Sequence, residues 1–181
     1  MPLTYLKSLG IADGTIVNAD ISSSAAIAQS KITGSFGKVL QVVQGTLTGQ
    51  ASTTSGTFGA VSLSATITPS STSNKILILG TINGANASTA NKTGFVTVYK
   101  SVAGGSFSNI APAGSGLYAS FGGNYDAGDN NTANITFTYL DSPSSTSSLE
   151  YKVYIAVETV GTFNINVGGQ QSFIQLLEIA G

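Results

Sequence analysis

The chain has 181 residues, enough for one domain of ordinary size and a short additional segment. Ser, Thr, Gly and Asn fill 80 of those positions, only 8% are charged and 41% are apolar, so the composition favours turns and strand faces, supplies a core and argues against intrinsic disorder. The absence of His, Cys, Trp and Arg removes the imidazole base, the thiol nucleophile and the usual transition-metal ligands, and seven Lys against eight acids leave no positive field for nucleic acid.

Residues 1–37 differ in texture from the rest, and the divide falls in the Gly-Ser-Phe-Gly stretch of 34–37. Ile11, Ile16, Ile21, Ile27 and Ile32 recur at a spacing that fits neither a 3.6-residue helix nor a 2-residue strand. Asp13-Gly14 and Asn18 to Asp20 read as turns, and Ser22 to Lys31 as a short helix too brief to stand alone. Such a segment is expected to bury its isoleucines against other chains. The N-terminus lacks the pattern of a secretory signal. No apolar run approaches the roughly 20 residues of a membrane span, so no membrane insertion is expected.

From Val39 onward the pattern is β. Strands are expected at 39–48, 56–67, 75–82, 95–100, 117–121, 134–139, 149–158, 162–167 and 172–179. Alternation is clearest where Ile135, Phe137 and Tyr139 share one face, and where Tyr151, Val153, Ile155 and Val157 point inward with Lys152 and Glu158 outward. Between these two strands Ser-Pro-Ser-Ser-Thr-Ser-Ser is a loop by composition. The expected fold class is all-β, an antiparallel β-sandwich or jelly-roll knob of residues 38–181 behind a short extended N-terminal segment of residues 1–37.

Two strands are apolar on both faces: Ile76 to Leu79 in one, and Phe173, Ile174, Leu176, Leu177 and Ile179 in the other. A sandwich uses one face per strand, so Ile76, Ile78, Phe173 and Leu177 are candidates for a subunit interface. The stretch 114–131 mixes glycines with Tyr118, Phe121, Tyr125, Asp126 and Asp129 and forms a candidate recognition surface, where rings offer rigid contact area and Asn or Asp hydrogen-bond a sugar. Its acidic cluster lacks the spacing of a calcium loop, and no metal or other cofactor is expected. Asp126, Asp129, Asp141, Glu150 and Glu158 offer no pair that stands out for acid–base work, so the chain is not read as an enzyme.

The segment Ile11 to Gly34, with its Asp-Gly-Thr-Ile and Asn-Ala-Asp-Ile turns followed by Ala25 to Ile32, resembles tail-fibre and related virion proteins of tailed bacteriophages, including those infecting marine bacteria and cyanobacteria. GKVLQVVQGT from Gly37, ATITPSSTSNKILILG from Ala65 and the closing FIQLLEIAG resemble the β-rich distal domain of the same proteins. The resemblance implies a homotrimer on the surface of a virion. Its N-terminal part, here Ile11, Ile16, Ile21, Ile27 and Ile32, would attach to another virion protein of tail, collar or capsid. Its knob would meet a host surface glycan or protein. This chain departs from long receptor fibres in having almost no shaft, which raises the alternative of a capsid decoration or head fibre.

Overall fold

A computed structural model describes residue 21 and residues 38–112, 114–128, 131–158 and 161–181. Of the five spaced isoleucines only Ile21 falls within these, and it is exposed. Ile11, Ile16, Ile27, Ile32 and the helix expected at 22–31 lie outside the described residues, as does Asp129.

The compact unit Phe36–Gly181 is a sandwich of two antiparallel sheets. Its strands are β1 (Val39–Leu47), β2 (Ala51–Thr53), β3 (Gly59–Ile67), β4 (Lys75–Ala87), β5 (Lys92–Val102), β6 (Ser108–Asn109), β7 (Gly122–Asp126), β8 (Ala133–Asp141), β9 (Leu149–Val157), β10 (Phe163–Ile165) and β11 (Ser172–Ile179). The first sheet runs β1-β11-β4, with β8 on the far side of β4 and β10 then β2 continuing from its end. The second runs β3-β9-β5, and the outer edge of β5 is shared by β6 and β7. Among the described residues there is no α-helix, only single turns of 3-10 helix at Gly116–Tyr118 and Val167–Gly169.

The core lies between the sheets and follows the two-residue period of the strands. Ile76, Ile78 and Ile82 of β4 and Ile174 and Leu176 of β11 meet Leu63 and Ile67 of β3 and Tyr151, Val153 and Ile155 of β9. Each fully buried aliphatic side chain of this kind contributes about 1.5–3 kcal/mol. Close packing of rings demands glycine at two of the core positions. A Cβ on Gly80 would stand 2.0 Å from the Phe137 ring, and one on Gly94 would stand 1.9 Å from the Phe163 ring.

This placement corrects part of the expected interface. Ile76 and Ile78 have no exposed surface because their side chains point into the chain's own core, so they cannot line a contact with another subunit. Phe173 and Leu177 alternate out of phase with Ile174 and Leu176 and face outward. The strand expected at 117–121 is a second correction. Gly114 and Gly116 hold positive φ, a 3-10 turn forms instead, and strand pairing with β5 resumes only at Gly122.

Three polar clusters pin the ends of the sandwich. Asp141 of the first sheet accepts Lys100 Nζ and Tyr151 OH of the second, each at 2.7 Å. Burial raises the Tyr151 pKa, and the hydrogen bond to Asp141 and its charge raise it further. Asn166, in left-handed backbone, donates to the Leu47 and Gly49 carbonyls at 2.8 and 2.9 Å and so ties the β1–β2 turn to the β10–β11 connection. Glu178, only 1% exposed, accepts from Gln41 Nε2 and Ser70 N, each at 2.6 Å, Ser70 Oγ at 2.8 Å and Asn74 Nδ2 at 2.5 Å. Burial alone would push its carboxyl up, but those four donors prevail and hold it at about 2.

Candidate assembly face and ligand cleft

The outward face of the first sheet is built by register. β1 places Val42 opposite Leu177 of β11, which lies opposite Leu77 of β4, which lies opposite Leu140 of β8. Four apolar side chains thus form one continuous row across four strands, with Val42 58% and Leu140 47% exposed. Leu40, Leu79, Phe173 and Ile179 flank it on the same face. The remaining outward positions carry uncharged groups such as Gln44, Gln175, Thr136 and Thr138, and Gln175 Nε2 donates to Gln44 Oε1 at 2.7 Å. Lys75, at the start of β4 beside Ile179, is the charge that borders the row. Natural sheets commonly mark a solvated face and an edge with charge, and this face carries it at Lys75 on its border and not within the row.

The expected recognition residues separate into two groups. Tyr118 and Tyr125 are 72% and 56% exposed. Tyr118 sits edge-on to Phe95 with ring centroids 5.7 Å apart, and Tyr125 OH donates to Asn91 Oδ1 at 3.0 Å. Phe121 instead turns inward and stacks on Phe137 at 5.0 Å, beside Tyr139. Asp126 is buried on β7, where its Oδ1 accepts Gly128 N at 2.8 Å and closes a turn. No group of three or more Asp or Glu side chains is arranged to hold a metal among the described residues.

Beside this loop lies a cleft of about 440 Å³ that the sequence reading missed. Gly56, Thr57 and Phe58 form one wall, Tyr99 of β5 the floor, and Asn109 with Gly116, Leu117 and Ala119 the other wall. Tyr99 stacks on Tyr154 of β9 with centroids 4.0 Å apart and planes 22° from parallel, and Phe58 packs edge-on to Tyr99 at 6.4 Å. Burial, and then the neighbouring Tyr154, raise the pKa of Tyr99, so its hydroxyl stays protonated at neutral pH. Asn109 braces the far wall: its Oδ1 accepts Thr97 Oγ1 at 2.8 Å and Ala111 N at 2.9 Å, and its Nδ2 donates to the Ala119 carbonyl at 2.8 Å. A detectable signal was present, since Tyr99 and Tyr154 are aromatic rings at outward strand positions where a solvated face would carry polar side chains.

No protein-family model matches this sequence, and no curated protein matches it. Among solved structures, a chain of the structure of infectious bursal disease virus Gx strain is similar in fold at 12% identity and a TM-score of 0.42, covering 86% of this chain. The chain spans 43% of the length of that neighbour.

Proposed function

We propose that the protein is a structural component of a phage virion, a short homotrimeric fibre held to the particle by residues 1–37 and presenting the β-sandwich as a knob at the host surface. One observation carries the reading: a face of the first sheet with the apolar row Val42, Leu177, Leu77 and Leu140 in register and with charge only at its border, at Lys75. A face of this kind suits burial between subunits, where repeated copies bring like surfaces together without repelling charges. The resemblance of Ile11 to Gly34 to tail-fibre and related virion proteins supplies the class of particle. The work of such a protein is binding, and neither catalysis nor a cofactor enters the reading.

Sedimentation of the purified chain is expected to give three times its 18.2 kDa mass. Cryo-electron microscopy of the particle is expected to place three-chain density on the tail or collar. Density over capsid vertices or local threefold positions would make the protein a decoration that stabilises the shell. A monomeric chain absent from purified particles would overturn both readings.

A further inference from the structure

The cleft between Phe58 and Leu117 is formed before any ligand arrives. Its far wall is fixed by the three hydrogen bonds of Asn109, and its floor by the Tyr99–Tyr154 stack. Its near wall is fixed by Ser55, whose carbonyl accepts Val157 N at 2.9 Å and whose Oγ donates to the Thr57 carbonyl at 2.9 Å. Little ordering cost therefore opposes binding, and its volume falls in the range of ordinary small-ligand sites.

The lining selects a chemistry. Phe58, Tyr99 and Leu117 supply apolar surface, while the Thr57 hydroxyl and the Gly56 and Gly116 backbones supply neutral polar atoms around it. Among the described residues no charged side chain lines the cleft. The neighbouring charges of the second sheet, Lys152 and Glu150, are paired with each other at 2.9 Å, and Lys152 lies over the Phe107 ring at 4.8 Å. An anionic ligand would have to draw Lys152, the cross-strand neighbour of Tyr99, away from Glu150. A wholly apolar one would leave the rim's spare acceptor positions unused, since Thr57 Oγ1 pairs with Ser55 Oγ at 2.9 Å but keeps a lone pair for a ligand hydroxyl. A neutral pyranose has the matching distribution, with C–H groups on one face and hydroxyls around its edge.

We propose that this cleft binds a neutral sugar ring of a glycan, its C–H face against Tyr99 and Phe58 and its hydroxyls at the Thr57 rim. The proposal rests on the attachment reading only for the source of that glycan, a host surface; the cleft chemistry stands by itself.

The test is a titration of the full-length ¹⁵N-labelled protein, followed by amide shifts and by saturation transfer from protein aromatic protons to the ligand. The probes are the methyl glycosides of glucose, galactose, mannose and N-acetylglucosamine, with methyl glucuronide as the anionic control, each taken to about 50 mM because single rings bind in the millimolar range. At least one neutral glycoside is expected to give saturable shifts at residues 56–58, 99, 109 and 116–119, with transfer to its ring C–H protons and binding about tenfold tighter than the glucuronide. Phe58→Ala and Thr57→Val are each expected to weaken it about three- to tenfold, the second with no loss of packing volume. Saturation by none of the four, shifts elsewhere on the protein, equal binding of the glucuronide, or indifference to both substitutions would overturn the proposal. Particles that contain the chain while no neutral glycoside binds would remove the cleft assignment alone. Sugar binding by a chain absent from particles would remove the virion reading and leave the cleft assignment standing.

Discussion

Glu178→Gln is expected to cost the fold about 2 kcal/mol at neutral pH and to flatten its response to acid. The carboxylate receives four hydrogen bonds from Gln41, Ser70 and Asn74, which join β1 and the 67–75 connection to β11. Its pKa in the fold is about 2, against an ordinary 4.5. A depressed carboxyl stabilises the fold fully above its unfolded pKa and loses that stabilisation as pH falls through the folded one, so the window runs from about 4.5 down to 2. At about 1.4 kcal/mol per pH unit the span from 4.5 to 2 sets a ceiling of about 3.5 kcal/mol, and solvent screening lowers this to about 2. Glutamine keeps the shape but turns an NH2 group toward donors that then lose an acceptor. Urea unfolding followed by far-UV circular dichroism at pH 7, 5 and 3 measures both effects. Glu150 is also lowered, chiefly by its hydrogen bond with Lys152, but that contribution is common to both proteins and cancels in the difference. Equal loss of stability by wild type and variant between pH 5 and pH 3 would refute the assignment, as would a neutral-pH difference below about 0.5 kcal/mol.

Other substitutions separate the faces of the same strands. Leu177→Asp, on the outward row, is expected to leave a folded monomer in sedimentation with a native dichroism spectrum, whereas Ile76→Asp, buried in the core, should unfold the chain at a cost above about 4 kcal/mol. An intact trimer from Leu177→Asp would count against the interface. Asp141→Asn removes the anion that Lys100 and Tyr151 share, and a loss of about 1–3 kcal/mol in urea unfolding is expected; no change would show that this cluster does not hold the sheets together. Gly94→Ala drives a Cβ into the Phe163 ring and should lower the unfolding free energy by about 1–3 kcal/mol, with unchanged thermal melting as the contrary result.

The strands were legible because their faces alternate. β11 spans the expected 172–179, and β1, β3, β8 and β9 lie within a few residues of their expected ends, since β-branched and aromatic residues recur there with a period of two. β2 and β6 were not legible: they are two or three residues long and exist only because a neighbouring strand offers an unpaired edge. The expectation for Ile76 and Ile78 needed correcting for a related reason. Alternation says that residues 76 and 77 face opposite ways, but which of two apolar faces meets the other sheet is decided by partners a hundred residues distant, such as Leu176 and Ile174 beside Ile78 and Gly80. The cleft was hidden by the same distance, since its walls come from 56–58, 99, 109 and 116–119, brought together only when β3, β9 and β5 pair.

The low charge of the chain follows from where its faces go. Glu178 is spent on holding β1, β11 and the 67–75 connection, Asp141 and Lys100 on clamping one sheet to the other, and Glu150 and Lys152 on each other. What the described residues leave uncharged is therefore patterned: the outward rows of β1, β11 and β8, and of β4 beyond Lys75, on one sheet, and the aromatic cleft on the other. A monomer with no use for those surfaces gains solubility from placing Lys and Glu there at little cost to stability, because exposed strand positions tolerate them. Contact in the proposed assembly would account for their absence from the Val42, Leu177, Leu77 and Leu140 row. Adding a lysine at Thr138, one row away, is the mildest probe of that argument: in a solvated face it should be neutral within about 0.5 kcal/mol, and in a buried one it should shift the sedimentation of the assembly while leaving the isolated fold intact.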